Sequence, residues 1–149
     1  MSIILEDLLK NLAKDLKIPF KKEITDSYSY QINEKLIIQI EMSQKTDELI
    51  IGSFFANLPP GKFRENVLAQ GLMANYILED PSFFAFSPKK SDVFLYQSLN
   101  LEKLTSPLLQ ENLTSFIEKT LKWQEALEKG YVAPAEFTQT IISHKRSNG

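Results

Sequence analysis

Few side chains in this 149-residue sequence could do chemistry, and their spacing suits catalysis poorly. There is no cysteine, which removes thiolate nucleophiles, disulfides, cysteine zinc sites and iron–sulfur ligation together. The one histidine, His144, stands beside Lys145 and Arg146 near the C-terminus and reads as a tail residue. A Ser-His-Asp site or a histidine metal centre would have to be built on it, so neither is expected. Pro59-Pro60-Gly61-Lys62 has a glycine and a lysine in phosphate-loop order. It lacks the second glycine and the Ser or Thr that would wrap phosphates and hold Mg²⁺, and it reads as a stiff strand-to-helix corner. The acid pairs Asp47-Glu48 and Glu79-Asp80 could share a proton as a hydrolytic dyad, but both fall where turns are expected. Nothing near them in the sequence would raise a carboxyl pKa. No metal, no cofactor and no enzymatic activity are expected.

The charges exclude more. Seventeen basic against 19 acidic residues leave a net charge of −2, which argues against a nucleic-acid binder, since such a protein needs a basic surface to displace counterions from phosphate. Lys21-Lys22 and Lys89-Lys90 read as solvated loop and hairpin residues. The uncharged run Asn66–Leu78 is 13 residues long, short of the ~20 that a membrane span requires. Glu6 and Asp7 at the start are unlike a secretory signal, so a cytoplasmic protein is expected. With 43% hydrophobic residues the chain can build one core, and no linker suggests a second domain.

The elements that must carry any function follow from periodicity. Ile4, Leu5, Leu8, Leu9, Leu12 and Leu16 recur at helical spacing over 3–17, and Pro19 is expected to end that helix. From Tyr28 to Leu58 the period changes to two, giving strands at 28–32, 36–42 and 48–58 with turns near Asn33-Glu34 and 43–47. Lys62–Leu78 reads as a helix, 83–86 and 93–96 as a hairpin, and Ser106-Pro107 as the cap and first turn of a last helix that stops at Gly130. The expected fold is α+β, ordered α-β-β-β-α-β-β-α: one antiparallel sheet with packed helices, a single domain over 1–130 and a partly flexible extension over 131–149.

Two elements ask for a partner. Beyond its first turn the helix 62–78 has no charge, although a helix at the surface of so small a protein should show a charged outer face. Its small residues Ala69, Gly71 and Ala74 would allow close backbone approach, so a subunit interface is preferred over a helix buried within one chain. The strand 48–58 is apolar on both faces, with Leu49, Ile51 and Phe55 on one and Ile50, Phe54 and Ala56 on the other. Such a strand lies between two covered layers or shows one apolar face to a partner.

Ile50-Ile51-Gly52-Ser53-Phe54-Phe55-Ala56-Asn57-Leu58-Pro59-Pro60-Gly61, followed by Arg64-Glu65 and Leu72-Met73-Ala74-Asn75, resembles the Tir-chaperone (CesT-type) family, the class I chaperones of type III secretion. The chain is especially similar to chlamydial-type members, through the Leu-Pro-Pro-Gly corner and the Ala-Asn near the end of the next helix. The resemblance implies a homodimer, with Val67, Leu68, Leu72, Met73 and Tyr76 at the interface and Phe83 and Phe84 on the following strand. It also implies that a secreted effector's N-terminal segment binds in extended form to apolar positions, here Leu5, Leu8, Leu12, Ile37, Ile50 and Phe54. The alternative function is a CesT-like structural or regulatory protein that binds a component of the export apparatus.

Overall fold

The leucines at helical spacing build the first element. In the computed structural model, which describes residues 2–24, 26–43, 45–77 and 80–137 with side chains from Leu5 onward, helix α1 spans Ser2–Leu16. It buries Leu5, Leu9, Leu12 and Ala13. Pro19 does not end it. The stop comes earlier, at Lys17, whose φ of 57° turns the chain left-handed so that the Lys17 N–H bonds the Lys14 carbonyl and the Ile18 N–H bonds the Ala13 carbonyl.

Six strands follow: β1 Phe20–Ile24, β2 Ser27–Asn33, β3 Leu36–Ser43, β4 Glu48–Asn57, β5 Phe83–Ser87 and β6 Asp92–Asn100. They form one antiparallel sheet in the order β1-β2-β3-β4-β6-β5. Strand β1 was not expected, because Lys21, Lys22 and Glu23 break its apolar alternation. It lies at a sheet edge, where lysines suit a strand that must not pair further. Phe20 holds it in place, with its ring 5.8 Å from those of both Tyr28 and Tyr30.

Between β4 and β5 runs helix α2, Lys62–Ile77, and a short 3₁₀ turn at Leu101–Lys103 leads to helix α3, Ser106–Glu128. The N-cap of α3 is Thr105 and not Ser106: the Leu108 N–H donates to Thr105 Oγ1, and Pro107 falls in the first turn, where its missing N–H costs nothing. At the other end Gly130, with φ 85°, closes α3 as expected. The Tyr131 N–H then bonds the Ala126 carbonyl.

All three helices meet one face of the sheet. Tyr28, Tyr30, Leu36, Ile38, Ile40, Leu49, Ile51, Val93 and Leu95 point into it and are almost fully buried. Tyr30 Oη donates to the Leu9 carbonyl of α1 at 2.7 Å, Gln97 Nε2 donates to Asn112 Oδ1 of α3, and Trp123 of α3 packs on Phe55 and Phe84. The core also extends past residue 130. Ala133 and Phe137 are buried, and the Phe137 ring lies 5.8 Å from that of Trp123, so the start of the expected extension belongs to the packed domain. Residues 138–149, including His144, lie outside the described residues.

Candidate functional site

The side chains that might have done chemistry are dispersed or neutralised. Among the described residues no group of three or more His, Asp or Glu could hold a metal. Asp47 occupies the β3–β4 turn with φ 51° and Glu48 opens β4. Lys62 pairs with Glu65, at 3.8 Å on the exposed first turn of α2. Glu79 lies outside the described residues, so the Glu79-Asp80 pair is visible only through Asp80.

Asp80 is bound to other partners. Its Oδ1 accepts from the Ser82 N–H at 2.8 Å and from Ser82 Oγ at 2.6 Å, and its Oδ2 lies 3.3 Å from Lys119 Nζ, which also donates to Ser82 Oγ at 2.7 Å. Burial acts to raise the Asp80 pKa, but the Ser82 hydrogen bonds and the Lys119 charge together hold it below its ordinary value. The two partners do not gain equally. Lys119 loses more to desolvation than Asp80 returns, so its pKa falls as well. A carboxylate kept ionised in this way cannot serve as a general acid near neutral pH.

What remains is surface that no other described residue covers. On the face away from the helices, β3, β4, β5 and β6 expose Ile37, Ile50, Phe54, Phe83 and Tyr96, each between 37% and 47% accessible. The pairings Phe54↔Phe94 and Phe83↔Tyr96 place the aromatic residues side by side. They form a continuous row, with ring centroids 5.0 Å apart for Phe54–Phe94, 6.1 Å for Phe94–Tyr96 and 5.6 Å for Tyr96–Phe83. Glu41, paired with Ile50, brings a carboxylate to this face.

A second apolar strip lies on α2. Val67, Gly71 and Ala74 face inward, while Leu72 and Tyr76 are 70% and 84% exposed. Three contacts hold the helix in this orientation. Gly71 rests on the Phe84 ring so closely that an added Cβ would fall within it. Asn75 grips the Phe84 backbone, donating to its carbonyl at 2.8 Å and accepting from its N–H at 2.7 Å. Arg64 at the start of α2 lies over the Phe86 ring, 5.0 Å from its centroid.

The structure therefore divides the residues singled out from the sequence. Of those expected to bind an effector, Ile37, Ile50 and Phe54 share the open sheet face and Leu8 is half-buried, whereas Leu5 and Leu12 belong to the core under the sheet. Of those expected at a dimer interface, Leu72, Tyr76 and Phe83 are exposed and Leu68 and Met73 partly buried, whereas Val67 and Phe84 are core residues. These four buried placements have one cause: helical and strand periodicity separates two faces without saying which meets the chain's own core. Phe94 and Tyr96 were missed, although their parity opposite Val93 and Leu95 was the available signal.

Residues 7–124 match the model of the Tir chaperone protein (CesT) family. No curated protein matches the chain significantly by sequence. Solved structures with a similar fold include the HopA1–SchA chaperone–effector complex (TM-score 0.62, 18% identity, 84% of this chain and 96% of that one). They also include the ExsC–ExsE complex (0.64, 16%, 84% and 94%) and the ExoT–SpcS complex from Pseudomonas aeruginosa (0.53, 16%, 79% and 95%).

Proposed function

The chain belongs to the Tir chaperone protein (CesT) family and is a type III secretion chaperone, and from that premise we propose that its uncovered apolar surfaces hold the extended N-terminal segment of one or more secreted effectors. The observation that carries this reading is the open sheet face, where Ile37, Ile50, Phe54, Phe94 and Tyr96 lie together with no helix over them among the described residues. An unfolded segment laid on that face gives up conformational entropy, a cost offset by apolar burial at ~25 cal/mol per Å². No bond is made or broken, so the protein acts by holding and not by turnover. The half-buried Leu8 on α1, on the helix-bearing side of the sheet, is a separate contact for the same segment.

The second surface pairs two copies of the chain. Leu72 and Tyr76 on α2, with Phe83 on β5 and the partly buried Leu68 and Met73 beside them, form the self-association face of a homodimer. The complex works in the bacterial cytoplasm, before export. Co-expression with the first ~100 residues of effectors encoded in the same genome tests the reading, since a coupled-folding segment of that length is retained through several apolar contacts. Retention of at least one effector segment on the tagged chaperone is expected. Capture of export-apparatus subunits with no effector segment would refute it in favour of a structural or regulatory role.

A further inference from the structure

We infer that Lys119 is a positioning residue for the self-association face, tying the connection between α2 and β5 to helix α3. The inference rests on the dimer proposed above. Asp80 and Ser82 belong to that connection, and Ser82 directly precedes Phe83, one of the residues of the face. A single ammonium holds both: Lys119 Nζ is 3.3 Å from Asp80 Oδ2 and 2.7 Å from Ser82 Oγ, and Ser82 Oγ reaches Asp80 Oδ1 at 2.6 Å. The three groups close a ring of polar contacts, with the Lys119 side chain 16% exposed and Ser82 4% exposed.

Two open surface clefts are both lined by Asp80 and Lys119, and the Asp80 side chain is 36% exposed, so the ring sits at the edge of the packed core. A cation drawn out of water is also a poor source of stability, since apolar residues in place of a buried ion pair are often as stable or more so. What the ring supplies is placement. It sets where β5 begins relative to α3, and so where Phe83 is presented, while Asn75 and Gly71 hold the Leu72/Tyr76 strip against the same strand.

The test uses the full chain with Lys119→Met, Asp80→Asn and the double variant. The dimer dissociation constant is read by sedimentation, and each change is repeated in the Leu72→Arg background to read its effect on the unfolding midpoint of a single chain. Both single variants are expected to weaken the dimer about tenfold, and the double variant no more than either, as for partners in one network. In the monomeric background the midpoints should move too little to account for that loss. A dimer constant within about twofold of the wild type, or fully additive effects, overturns the inference. So does a midpoint loss large enough to explain the weaker dimer, because Lys119 would then only stabilise. A wild-type chain that sediments as a monomer removes the dimer reading itself, and the inference with it.

Discussion

Asn75 turns both ends of its carboxamide to the backbone of Phe84 and so completes hydrogen bonds that edge strand β5 would otherwise leave open. It thereby fixes α2 alongside the sheet edge, and Gly71 lets the helix approach that closely. Alanine is the better helix former by about 1 kcal/mol, but at this position its methyl would enter the Phe84 ring. Gly71→Ala is therefore expected to lower stability by about 1–3 kcal/mol, as an overpacked core does, measured by urea unfolding. Asp80 makes a pH-dependent contribution. Its folded pKa lies below its ordinary value, so the stabilisation is present above the unfolded pKa and is lost as pH falls through the folded one. Stability should drop below about pH 4, and Asp80→Asn should flatten that limb of the pH profile. Lys119 acts in the same direction along the pH axis: its lowered pKa means that the cost of burying its charge is relieved as pH rises from the folded toward the unfolded lysine value.

Helix α2 shows how an element can be read correctly in extent and still be ambiguous in role. Its lack of charge past the first turn admitted two readings, an interface or a helix buried within the chain. The fold makes it an edge helix with one side of each kind: Val67, Gly71 and Ala74 inward, Leu72 and Tyr76 outward. Leu72→Arg separates the two, because a buried arginine would unfold the chain whereas an exposed one only repels a partner. The expected result is a monomer by sedimentation equilibrium with an unchanged far-UV circular dichroism spectrum. Strand β4 is a similar case. Its two apolar faces were plain in the sequence, and the structure leaves one of them open. Strand β1 was hidden because edge strands carry lysines that erase the alternation by which strands are recognised.

For the molecule as a whole, all three described helices lie against one side of a six-stranded sheet, and the other side exposes an aromatic and aliphatic surface. Phe54→Ser or Tyr96→Ser should weaken binding of a captured effector segment about tenfold, as loss of an aromatic anchor does, with little change in the melting temperature. The measurement is titration of the chaperone–segment pair that co-purifies. Periodicity and composition alone determined the helices, most of the strands and the α+β class, because these depend on local spacing and residue type. The corner at Leu58–Gly61 and the uncharged helix after it also carried the family. Tertiary structure alone decided which apolar face is core. Leu5 and Leu12 look like Leu72 in sequence, and Val67 like Tyr76, until the sheet order places three helices on the same side. Burial is a property of what lies opposite a residue, and the alternation of side chains along an element is silent about that.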